Sequence, residues 1–132
     1  VLSDELKKYL DEGKVYATVA TVGATGHPHL TVVWLKREGE DLLFSTTVDR
    51  QQAKNLLRDP RITVMVNPPE RPDVYAAIRG TATTVPDPER ALPDELSLEY
   101  TGKTYADYNP ESVNDGDRIT VRVTPQRVVG GL

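Results

Sequence analysis

The sequence predicts a mainly β domain, about six short strands with two or three short helices, arranged as a small barrel or sandwich. Three observations carry this. Runs rich in β-branched residues recur along the chain, turn signals separate most of them, and apolar residues fall at helical spacing only in brief stretches. At 132 residues the chain suits a single domain over residues 1–132 with one core.

Ser3 is a suitable N-cap, Asp4 and Glu5 fall in the first turn, and Gly13 is a stop. Between them Leu2, Leu6, Tyr9 and Leu10 share one helical face, so this helix is expected to lid the core. The period then changes. Lys14–Val22 and His29–Lys36 read as strands around the turn "GATGHP", and "REGED" reads as a second turn into the strand "LLFST". "RITVMVN", "VYAAIRGTATTV" and the closing "RITVRVTPQRVVGG" read as three more strands, with Gly80 marking a bulge or bend. "NPPERPD" (Asn67–Asp73) is a stiff connection poor in backbone donors. The segment Pro86–Asp117 is long for a compact domain, and segments of that length are often lids or partner surfaces. Within it Leu92, Leu96 and Tyr100 sit at i, i+4 and i+8 before Gly102, which predicts a helix from about Pro93 to Thr101.

Composition narrows the function. There is no cysteine, which removes disulfides, thiolate metal sites and thiol catalysis. A net charge of −4 disfavours general nucleic-acid binding. No apolar run approaches the ~20 residues of a membrane helix. The first residues resemble no signal peptide, so a cytoplasmic location without membrane partners is expected. His27 and His29 flank Pro28 without carboxylate partners and read as turn and strand-start residues rather than as a metal pair. The chain has no nucleophile elbow and no glycine-rich phosphate loop. If the protein is an enzyme, a cofactor carries the hard chemistry.

Two features remain. "STTVDRQQAKNLLRDPR" (Ser45–Arg61) ends a strand in Ser45, Thr46 and Thr47 and opens a short helix with Arg50, Gln51, Gln52, Lys54 and Asn55. It reads in two ways. Asp49 can cap the helix with Gln52 reaching back to it while Leu56 and Leu57 dock on the barrel, a connection that needs no ligand. Alternatively the hydroxyls, cations and helix N-terminus cradle a phosphate or carboxylate. Trp34, the only tryptophan, lies mid-strand and is either core or the wall for a planar ring.

The segments "ATVATVGATGHPHLTVVWL", "FSTTVDRQQAKNLLRDPRITVMV", "AAIRGTATTV", "LSLEYTGKTY" and "RITVRVTPQRVVG" follow one another along nearly the whole chain. In that order they resemble the split-barrel flavin-binding family of pyridoxamine 5′-phosphate oxidase, nearest its actinobacterial branch that uses the deazaflavin coenzyme F420. The resemblance implies a six-stranded antiparallel split β-barrel of the FMN-binding type, a homodimer with two cofactor sites along the subunit interface. It implies that Thr31, Val33 and Trp34 border the ring. Ser45, Thr46 and Thr47 would meet its polar edge or ribityl chain, and Arg50, Gln51, Gln52, Lys54 and Asn55 its phosphate side. At Gln52 the family often has lysine. The activity implied is hydride transfer between F420 and a small organic acceptor. The alternatives are an FMN-dependent oxidase or reductase, and a module that holds a flavin or haem-like ring without turnover. No metal ligand is singled out and no catalytic residue is assigned; Tyr100 and Tyr105 are candidate proton donors, with packing the expected role of each.

Overall fold

A computed structural model describes all residues, Val1–Leu132. Helix α1 (Asp4–Glu12) precedes strands β1 (Tyr16–Val22), β2 (Pro28–Trp34), β3 (Lys36–Glu38) and β4 (Asp41–Thr47). Helix α2 (Gln51–Arg58) leads into β5 (Arg61–Val66) and β6 (Ala76–Pro86). Helices α3 (Ala91–Thr101) and α4 (Tyr105–Tyr108) and a 3₁₀ turn (Pro110–Asn114) come before β7 (Arg118–Gly130). The strands form one antiparallel sheet in the order β2-β1-β5-β6-β7-β4-β3.

The sheet corrects the expectation of six strands closed as a barrel: it has seven, and no ladder joins its two edges. The extra strand comes from "REGED". Gly39, at φ +61°, and Glu40 make the turn by themselves, which leaves Lys36–Glu38 free to pair with Asp41–Leu43. Leu35 alone separates β2 from β3, the two edge strands. The chain thus steps from one edge of the sheet to the other through one residue, and the curled sheet is split there.

The inward faces carry the core. Val19, Val64, Val66, Ile78, Val121, Val123, Leu42 and Phe44 are fully buried in it. Gly80 lies at the register shift between β6 and β7, as expected. A Cβ there would stand 2.3 Å from the Thr124 carbonyl oxygen, so only glycine fits. The Asn67 amide donates to the Pro72 and Val74 carbonyls and so braces the proline-rich connection.

Helix α1 begins as read: the Ser3 hydroxyl accepts the Leu6 N–H at 3.0 Å, and Leu2, Leu6 and Leu10 enter the core. Glu40, in the turn between the edge hairpin's strands, holds this helix from outside through Lys7 and the Val1 amino group. The Lys7 ammonium first, then the amino group, bring its carboxyl down from 4.5 to about 2. Because the folded pKa is depressed, this stabilisation is complete above about pH 4.5 and is lost as pH falls towards 2. Thermal melts of wild type and Glu40→Gln should differ near pH 6 and converge near pH 2. A gap that persists at pH 2 would assign the difference to something other than the charge.

Helix α3 starts two residues before the expected Pro93. The Asp87 carboxylate accepts the N–H groups of both Ala91 and Leu92 at 3.0 Å, capping from outside the periodic segment. Pro93 is tolerated because first-turn N–H groups have no helical partner. The helix ends as read, at Gly102 in the left-handed region (φ +77°).

Candidate functional site

The split is held at one point by a side chain. Tyr100, on α3, is buried, and its hydroxyl accepts the N–H groups of Val15 (3.2 Å) and Leu35 (3.1 Å). Its proton is shared between the carbonyls of the same two residues, at 2.7 and 2.9 Å. Tyr100 therefore satisfies backbone groups just before β1 and between β2 and β3, where the ladders stop. Burial, above all, pushes this phenol up from its usual pKa.

Beside this seam lies a cleft of about 670 Å³, within the size range of small-ligand sites. Thr31, Val33 and Trp34 line it from β2, Ser45 from β4, and Arg50, Gln51 and Gln52 from the start of α2. These expected residues are brought together. The Trp34 ring stacks on Tyr100 (centroids 5.2 Å apart, 24° between planes) and lies 5.3 Å from Tyr108 and 6.4 Å from Tyr105. Neither of its two sequence readings is complete, since Trp34 packs on the small cluster around α3 and also faces the cleft.

The opening of α2 differs from the capping box read in the sequence. Arg50 is the N-cap residue and makes no side-chain bond to the helix. Asp49 instead accepts the Thr47 hydroxyl at 2.6 Å, and that bond is the leading cause holding its carboxyl below the usual range. Gln52 does not reach back. It is 4% exposed, accepts the Thr46 hydroxyl at 2.8 Å and donates to the Thr31 hydroxyl at 2.8 Å, tying α2 to β4 and β2. Asn55 is fully buried; its amide donates to Thr21 at 3.0 Å and its oxygen accepts from Gln51 at 2.8 Å. Thr46, Thr47, Lys54 and Asn55 are thus outside the cleft lining, three of them buried and Lys54 exposed. Leu56 docks, whereas Leu57 is 71% exposed.

Sequence reasoning named Tyr105 only as a candidate proton donor and missed the rest of the opposite side of the cleft. Tyr105 and Tyr108 from α4, Pro93 and Leu96 from α3, and Arg118 from β7 complete it, together with His29 and Tyr16. An available signal was the aromatic pair at i, i+3 inside a segment already too long for a plain loop. Arg118 gave none, because its place depends on the pairing of Thr47 with Arg118 across β4 and β7.

A sequence model of the pyridoxamine 5′-phosphate oxidase family matches residues 2–130. The chain belongs to this family. Among solved structures, an F420 reductase is 30% identical, with 92% of this chain and 94% of that one covered and a TM-score of 0.79. The conserved hypothetical protein Rv2991 from Mycobacterium tuberculosis is 26% identical, covering 98% of this family member and 84% of its own chain, TM-score 0.76. A Clostridium acetobutylicum protein related to general stress protein 26 (pyridoxinephosphate oxidase family) is 19% identical over 96% and 85%, TM-score 0.70. That last likeness shows the oxidase-family fold alone. Among curated proteins, none matches the chain in sequence.

Proposed function

We propose that the chain is an oxidoreductase that binds a flavin-type cofactor in this cleft, with F420 as the first choice, and reduces a small organic acceptor. The observation that carries it is one cleft joining a flat aromatic wall at Trp34 to the α2 N-terminus. A ring with an anionic tail fits this layout. The first N–H groups of α2 have no side-chain cap, Arg50 extends beside them into solvent, and helix N-termini favour anions. The 30% identical F420 reductase favours the deazaflavin over FMN.

In this reading Thr31, Val33 and Trp34 bear the ring, Ser45 meets a polar edge, and Arg50 and Gln51 hold the tail. Thr46, Thr47 and Asn55 act from beneath by fixing Gln52, Asp49 and Gln51. Lys54 lends charge from the exposed side of α2. When bound, the cofactor supplies the hydride; the chain's part is to orient the reactants and exclude water.

The reading includes a homodimer. On the outer sheet face Val32, Thr18 and Met65 lie in register across β2, β1 and β5, with Leu30 and Tyr16 close by. Leu30 is 61% and Val32 66% exposed, beside an unpaired strand edge. A second copy covering this face removes both liabilities. A monomer in sedimentation at micromolar concentration counts against it.

The test of function is titration of the apoprotein with F420 and FMN side by side. Binding of F420 is expected to be the tighter. Arg50→Ala should weaken it several-fold, more at low salt than at high, because exposed charges are screened. Its melting point should be unchanged, since Arg50 makes no cap bond. Failure of both cofactors to bind overturns the reading.

A further inference from the structure

The far end of the cleft holds a cation that the fold leaves under-used. The Arg118 side chain is 4% exposed. It donates to Asp115 (2.6 Å), to the Tyr105 hydroxyl (3.1 Å) and, at 3.3 Å, to the Ser45 hydroxyl. Its Nε–H has no partner, the one buried side-chain polar atom in the molecule left so. Buried guanidinium groups normally satisfy their donors, because an unpaired one forfeits its hydration. Arg118 lines the cleft together with Ser45 and Tyr105.

Tyr105 stands in a complementary condition. Its ring lies 4.9 Å beneath the Arg118 guanidinium and edge-on to Trp34, and its oxygen accepts from Arg118. The hydroxyl makes no donation within the chain, so its proton is free. Tyr100, the other tyrosine deep in this region, commits its proton to the seam.

We propose that Arg118 and Tyr105 form the acceptor subsite: Arg118 binds an oxygen of a flat, conjugated carbonyl compound, and Tyr105 gives that oxygen its proton. This rests on the oxidoreductase reading above. Addition of hydride from the reduced cofactor to the acceptor carbon moves the π pair onto oxygen. The Tyr105 O–H bond breaks, its proton passes to that oxygen, and the phenolate stays beside the guanidinium until water reprotonates it. A fixed cation where negative charge develops stabilises the transition state more than the ground state. Trp34 and Tyr108 supply flat surfaces for the conjugated part.

Trp34 is the sole tryptophan and lies in the cleft, so its fluorescence reads occupancy directly without cofactor. The probes are 2-naphthoate, which carries an oxyanion, and its neutral counterpart 2-acetonaphthone. Quenching of the apoprotein should show naphthoate binding at least tenfold more tightly. Arg118→Met should abolish that preference, and Arg118→Lys should retain part of it. Tyr105→Phe should weaken naphthoate, leave the ketone within twofold, and slow turnover of 2-cyclohexenone by the cofactor-loaded protein. Equal quenching by both probes in wild type overturns the proposal, whether or not the methionine variant folds. A preference that survives Arg118→Met does so too, and leaves Arg118 as a strut to Asp115. The cofactor titration is a separate readout: if F420 and FMN both fail while the naphthoate preference holds, the oxyanion subsite stands and the redox reading falls.

Discussion

Tyr100→Phe is expected to lower the melting temperature by roughly 10 °C. The substitution keeps the ring that stacks on Trp34 and removes only the hydroxyl. Two N–H groups and two carbonyls, at Val15 and Leu35, then lose a partner in a place where Tyr100 itself is 5% exposed. A buried polar group left unsatisfied costs about 1–3 kcal/mol, so a total on the order of 3 kcal/mol is expected even with partial relaxation. Differential scanning calorimetry checks it. Hydrogen exchange should speed at Val15 and Leu35 before it does in β6 and β7. A melting point within 2 °C of wild type would mean that the seam is held by packing of the ring alone.

Gln52→Lys should destabilise by about 2–3 kcal/mol. The family pattern, read in the sequence, makes this substitution a gain of one charge for an anionic tail. The structure gives it a different cost. Gln52 is at once acceptor for Thr46 and donor to Thr31, and lysine can only donate. Thr46 is fully buried, so its hydroxyl loses its acceptor. The ammonium is not stranded, since position 52 reaches the cleft. Gln52→Glu is the control: it keeps an acceptor for Thr46, and the Thr31 hydroxyl can donate to it. Melts should rank wild type, glutamate, lysine in falling order. If lysine melts as high as wild type, the Thr46–Gln52–Thr31 chain of bonds contributes little.

Legibility in the sequence followed the range of the interactions. Helix α1, its Ser3 cap and the Gly102 stop are fixed by residues within a few positions of one another, and each was readable. The Gly80 bulge was readable from the glycine itself, although its cause, the close approach of Thr124, is distant in sequence. Strand β3 was not, because three residues beside a glycine turn look like turn until β4 is there to pair with them. The start of α3 was missed for a related reason: Asp87 caps it across a gap that periodicity does not see. In the site, β2 and the start of α2 were legible as residue types that suit a ring and its tail. The depth of each residue was not. Gln52 and Asn55 read as ligand-facing donors, and only the packing of α2 on β1 and β2 shows their amides tied to Thr31 and Thr21. The opposite wall depends on contacts between residues far apart in sequence, such as Ser45 with Arg118, and no local pattern records those.

The place of β7 in the sheet has a consequence for how the protein is made. The last strand in sequence lies between β6 and β4, so it alone connects the β3–β4 hairpin to the other ladders. On the ribosome, β1, β2, β5 and β6 can pair as they emerge, whereas β4 must wait for residues 118–130 with Leu42 and Phe44 uncovered. Pairings this distant are slow to form, and the exposed edge is open to aggregation meanwhile. A nascent chain stalled before Arg118 should be protease-sensitive in β3 and β4, and emergence of β7 should bring protection in one step.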